Sequence, residues 1–145
     1  MSSYELVWQD EFDYQGAPDP AKWRHNIGAG GWGNNELQYY SDRLKNASVE
    51  NGRLVLKAYR EELGDAAYTS AKLTTYQRAV WQYGRFEIRA KLPRGAGSWP
   101  AIWMLPVDLF DGGDDWPRSG EIDIMEHVGK DEGMVHVSLH SELYN

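Results

Sequence analysis

Three carboxylates lie within six residues of one another in Gly120-Glu121-Ile122-Asp123-Ile124-Met125-Glu126-His127. Acids interleaved with apolar residues read as a β-strand with one face in a core and the other in a cleft. In a regular strand Glu121 and Asp123 share a face, whereas Glu126 points the other way. One β-bulge near Ile124-Met125 absorbs the extra residue and returns all three acids to the same face. Like charges so close raise at least one pKa, which suits a general acid working near neutral pH. At a rise of ~3.3 Å per residue the two Glu Cα atoms sit roughly 13 Å apart. Their side chains can lean inward over Asp123 toward the ~5 to 5.5 Å separation used in double displacement at a glycosidic carbon. Two other readings compete: acids on the solvated outer face of a sheet, and a hard-cation site, although calcium prefers loops that supply backbone carbonyls.

The neighbouring residues point to sugar. Trp99 and Trp103, at i and i+4 on an expected strand, fall on one face, and Trp116 lies in the loop before the acids. Flat aromatic faces of this kind can stack on pyranose rings, so these three are assigned to the cleft, while Trp8, Trp23 and Trp81 are assigned to the core. Further on, His136, Ser138 and His140 share one face and Val137 and Leu139 the other, so two imidazoles can face the acids if the strands are neighbours.

Short, glycine-punctuated strands must position these groups. Arg85 to Leu92 alternates Phe86, Ile88, Ala90 and Leu92 against four charges. Ser48 to Glu50 and Arg53 to Ala58 flank Asn51-Gly52, a hairpin signal because both residues accept the positive φ of a type I′ turn. Further strands are expected at Glu5 to Trp8, Ala79 to Tyr83, Ala101 to Leu105, Glu121 to Glu126 and Met134 to His140. Asp19-Pro20 reads as a cap introducing a turn or two of helix. An all-β sandwich or jelly roll follows.

Composition narrows the functions. The chain has 145 residues, a net charge of -7 and no cysteine, which excludes disulfides and thiolate metal sites. With no basic tract, nucleic-acid binding is not expected, and no apolar run approaches the ~20 residues of a membrane span. Leu, Ile, Val and Phe together make only about a fifth of the residues. The 7 Trp and 9 Tyr argue against disorder, while the low aliphatic count suggests that part of the core lies elsewhere. Met1 to Glu5 has neither the basic nor the apolar region of a signal peptide.

With these residues in view, the chain resembles glycoside hydrolase family 16, in particular its laminarinase-like endo-β-1,3-glucanases. The match rests on the Glu-x-Asp-x-x-Glu pattern and on Trp8 to Phe12, Gly31 to Tyr40, Tyr83 to Glu87, Lys91-Leu92-Pro93 and Trp99 to Met104. The resemblance implies a jelly roll of two curved antiparallel sheets forming one domain over residues 1–145, expected to lack the family's C-terminal strands. It implies that Glu121 is the nucleophile, Glu126 the acid/base and Asp123 an assisting carboxylate, with no catalytic cofactor. Trp99, Trp103 and Trp116 look like subsite walls, and Asn46, Arg85 and His140 match positions that hydrogen-bond sugar. A structural calcium held through Glu11 and the Gly52 carbonyl is implied, as are an extracellular location and a β-glucan substrate. An incomplete sheet would also invite a complementary C-terminal chain or self-association. A non-catalytic β-glucan-binding module on the same scaffold is the alternative.

Overall fold

A computed structural model describes residues 4–113 and 115–144. The described chain is built from ten short strands and one 3-10 turn, as the alternating pattern predicts, and divides into compact units of residues 1–85 and 86–145.

The first unit carries β1 (Arg24–Asn26), β2 (Gln38–Tyr40), β3 (Ala47–Val49), β4 (Leu54–Leu56), β5 (Tyr59–Leu63), β6 (Ala66–Ser70) and β7 (Lys72–Thr74). They form a β1–β7 pair, a β3–β4 pair and a three-stranded sheet in the order β2-β6-β5. β3 and β4 are joined as the Asn51-Gly52 signal predicts. Glu50 N–H donates to the Arg53 carbonyl at 2.9 Å, and Asn51 and Gly52 take φ of 54° and 70°. Asp19 caps one turn, its Oδ1 accepting from Ala21 N–H at 2.9 Å. The strand pairs are antiparallel as expected, except that β2 and β6 run parallel.

This unit's interior is partly polar. Asn46 is fully buried, accepting from Ser41 Oγ (2.6 Å) and from the Arg43 guanidinium (3.0 and 3.2 Å), and donating to the Lys57 carbonyl and Thr69 Oγ1 (both 3.0 Å). Thr69 in turn donates to Glu61 at 2.6 Å. Lys45, Thr69 and Arg43 on the Glu61 carboxylate hold its pKa down to about 2. Asn46→Ala strands several buried partners at once and is expected to cost about 2–4 kcal/mol, read as a lower urea midpoint at unchanged slope. Trp8 meets Trp23 and Trp81 edge-on at 5.5 Å each, and the three form a half-buried aromatic cluster where a fully buried core is expected. Asp10 accepts from Trp23 Nε1 at 2.8 Å and from Tyr14 Oη at 3.1 Å, and pairs with Lys22 at 3.3 Å.

The second unit carries β8 (Ala101–Met104), the 3-10 turn Val107–Leu109, β9 (Glu121–Glu126) and β10 (His136–His140). The three strands form one antiparallel sheet in the order β10-β9-β8, so the acidic strand is central and laddered on both sides. The strands expected at Glu5 to Trp8, Ala79 to Tyr83 and Arg85 to Leu92 do not form, because none of these stretches has a ladder partner among the described residues. The alternation in Arg85 to Leu92 still has a structural role. Phe86, Ile88, Ala90 and Leu92 line a hollow of about 320 Å³ together with Ile102, Ile124, Met125 and Val135 from the acid-free side of the sheet.

Candidate active site

Strand register settles which face each acid occupies. On β10, Glu121 pairs with His140, Asp123 with Ser138 and Glu126 with His136. On β8, Asp123 pairs with Trp103 and Glu126 with Ala101. Partners directly opposite lie on the same face, and His136, Ser138 and His140 share a face by period, as do Ala101 and Trp103. All three carboxylates therefore point to one side. The register shifts between Ile102 and Trp103 on one ladder and between His136 and Ser138 on the other, which places the extra β9 residue at Ile124-Met125, as the spacing requires.

Each carboxylate has a ring N–H partner. Trp116 Nε1 donates to Glu121 Oε2 at 2.7 Å, and Trp99 Nε1 donates to Glu126 Oε1 at 3.0 Å. Asp123, 4 % exposed, lies with its Oδ2 2.9 Å from His140 Nε2. An ionised carboxylate only accepts, so this pairing assigns the proton to Nε2. Partial burial and the neighbouring Asp123 push the Glu121 carboxyl above its ordinary range, against the opposing Trp116 and His140. The acid raised by its surroundings is thus Glu121.

Trp99, Trp103, Trp116, His136 and His140 all belong to this unit. Trp99 and Trp116 are about half exposed, so part of each indole stays open while its N–H is engaged. The Trp116 ring lies 5.8 Å from that of His140. Asn46, Arg85, Glu11 and Gly52 belong to the 1–85 unit. Arg85 stacks its guanidinium over Tyr4 at 5.9 Å. The assignment of Asn46 to sugar binding is corrected: its amide is sealed inside the polar network described above, where no sugar hydroxyl reaches it.

Metal ligation is tested by the same geometry. Glu121, Asp123 and His140 bring three donor atoms within 4.8 Å of one another, the single such group among the described residues. Glu11 belongs to no such group. Two oxygen donors fall short of the six to eight that calcium takes, so these residues alone do not make a calcium site.

Two residues outside the expected set position the acids. His127, buried directly after Glu126, sets its Nδ1 2.8 Å from the Met134 carbonyl and ties the end of β9 to the turn before β10. Gly129 N–H donates to the Ser98 carbonyl at 2.9 Å and His127 N–H to the Pro100 carbonyl at 3.1 Å, extending the ladder past Trp99. A Cβ at Gly129 would meet the Gly95 carbonyl at 2.0 Å and Ser98 Oγ at 2.2 Å. Gly129→Ala is therefore expected to push the 95–98 loop away, costing about 1–3 kcal/mol and loosening Trp99 from Glu126. The checks are thermal unfolding and quenching of tryptophan fluorescence.

A family model for glycosyl hydrolases family 16 matches residues 31–144. The chain belongs to this family. Over 143 residues it is 55% identical to a beta-glucanase of Rhodothermus marinus, covering 98% of this chain and 50% of that protein. It is 46% identical to a glucan endo-1,3-beta-glucosidase of Cryptopygus antarcticus, covering 95% of this chain and 51% of the other. The X-ray structure of the laminarinase from Rhodothermus marinus superposes with a TM-score of 0.94 at 56% identity, over 99% of this chain and 57% of that one. The family 16 chain thus spans about half the length of the curated relatives it matches, and its sheets are those of a laminarinase fold.

Proposed function

We propose that this family 16 protein is a retaining endo-β-1,3-glucanase acting on laminarin-type β-glucan. The observation that carries this reading is the bulged β9, which sets Glu121, Asp123 and Glu126 on one face between two half-open indoles. Glu121 attacks the anomeric carbon while Glu126 gives its proton to the departing glycosidic oxygen, leaving a glycosyl ester on Glu121. Glu126, now a carboxylate, takes a proton from water, which attacks the same carbon from the opposite face and restores the starting configuration. Two inversions make net retention. No metal or organic cofactor enters these steps.

A neutral glucan fits the charge better than a sulfated one. Residues 107–133 hold nine acidic side chains against Arg118 and Lys130, a field that repels sulfate. Extracellular location follows from the substrate, since such polymers do not enter cells. The second reading is glucan binding without turnover, and intact acids favour catalysis over it. Reducing-end release from laminarin, with lichenan and agarose alongside, tests the reading; release from laminarin is expected, and release from agarose alone would overturn the substrate assignment. Val137 and Leu139 on β10 are 71 % and 70 % exposed, and this edge strand is the surface to which we assign any complementary chain or second copy. A size measurement showing a monomer at 16.6 kDa with protected core amides would exclude that partner.

The ionisation of Glu121 gives a signed expectation. Its carboxyl must be charged to attack, and Asp123 raises its pKa. In Asp123→Asn that contribution disappears, so the acid limb of kcat/KM is expected to move to lower pH, alongside a fall in kcat because the amide can still accept from His140 Nε2 but no longer carries the charge facing it. A pH–rate profile of the variant checks this, and an acid limb moving upward would contradict it.

A further inference from the structure

We propose that Trp116 and Trp99 are positioning residues for the two glutamates as well as walls for sugar, each holding one carboxylate through its indole N–H. The inference rests on the catalytic reading above and deepens it, because stacking needs only the ring faces and leaves the N–H without a task. Here both N–H groups are used. Trp116 Nε1 reaches Glu121 Oε2 at 2.7 Å and Trp99 Nε1 reaches Glu126 Oε1 at 3.0 Å.

The two donors come from separate segments, each fixed by its own backbone. Trp99 precedes β8 on the ladder extension closed by His127 and Gly129. Trp116 lies in the 115–120 loop, where Ser119 N–H donates to Asp115 and Gly120 N–H to Pro117, both at 3.0 Å. The ring of Trp116 meets His140 on β10, which engages Asp123. Glutamates at the two ends of β9 are thus held from opposite directions, with Asp123 held between them.

An indole N–H donates and never accepts, which gives each contact a chemical consequence. At Glu121 the donor favours the anion that must attack, offsetting burial and Asp123. The titratable and charged groups facing Glu121 are Asp123 on its own strand and His140 on β10. At Glu126 the donor occupies Oε1, so in the acid form the proton resides on Oε2, the oxygen left to meet the glycosidic oxygen.

The test replaces the donor and keeps the ring. In the whole protein, Trp116→Phe and a variant carrying benzothienylalanine at 116, which matches tryptophan's shape without the N–H, are compared with the parent by carboxyl ¹³C NMR titration of Glu121. The Glu121 titration is expected to rise by about half to one pH unit in both variants. The acid limb of kcat/KM on laminarin should rise with it, while KM stays within about threefold. A Glu121 titration unmoved in the benzothienylalanine variant overturns the proposal, as does a KM raised tenfold with an unchanged pH profile. The NMR readout needs no turnover. If Glu121→Gln in parallel hydrolyses laminarin undiminished, the catalytic reading fails, and the titration still decides whether Trp116 governs Glu121.

Discussion

Replacing Glu121 by Gln is expected to lower kcat/KM on laminarin by at least about 10⁴-fold, with the fold intact. Glutamine has the same shape, and its amide oxygen can still accept from Trp116 Nε1, so the surroundings of β9 have little reason to move. What it lacks is a nucleophilic oxygen able to form the glycosyl ester. Asp123 cannot substitute, because its short side chain is buried and bound to His140. Thermal unfolding within a few degrees of the parent, together with lost reducing-end release, is the expected pair of results. Retained release would remove Glu121 from the nucleophile's role.

Glu126→Ala is expected to have the second-largest effect, with a different signature. On laminarin both steps lose their proton-transfer group, and the rate should fall about 10²–10⁴-fold. An aryl glycoside whose leaving group departs without protonation should still form the ester on Glu121, which then accumulates for want of a base. Added azide needs no base and fits the space that the side chain leaves. The expected product is a glycosyl azide of β configuration, detected by NMR. An α azide would mean direct displacement at the anomeric carbon, and no rescue at all would mean that Glu126 serves some other purpose.

How much of this was legible in the sequence depends on which physical rule governs each part. The bulge was legible because side-chain parity along a strand is strict: Glu121 and Glu126 cannot share a face without one extra residue between them, and the register places it at Ile124-Met125. The Asn51-Gly52 turn was legible for a similar local reason, since both residues adopt the positive φ that the turn demands. Gly64-Asp65 carried a comparable signal for the hairpin of β5 and β6 and was missed, because Tyr59 to Leu63 holds three charged residues and lacks clean alternation.

Long-range pairing was the part that local pattern could not supply. Arg85 to Leu92 alternates as well as any stretch in the chain, yet a strand exists only where a neighbour offers a ladder, and none does so among the described residues. The parallel pairing of β2 with β6 likewise depends on a contact thirty residues away in sequence. Asn46 was assigned to sugar binding by the family resemblance, and a matching position in sequence does not show that the side chain is buried. Gly129 gave no signal of its own, since the need for a missing Cβ arises from the approach of Gly95 and Ser98. For Trp99 and Trp116 the sequence placed the rings in the cleft but could not show where their N–H groups point.

The most direct measurement is to trap the covalent intermediate on the whole protein with a 2-fluoro laminaribiosyl donor and to locate the label by peptide mass spectrometry. A single disaccharide adduct on Glu121, absent from Glu121→Gln, is the expected result. An adduct on Glu126, or turnover of the donor to product of inverted configuration with no adduct, would contradict retention through Glu121.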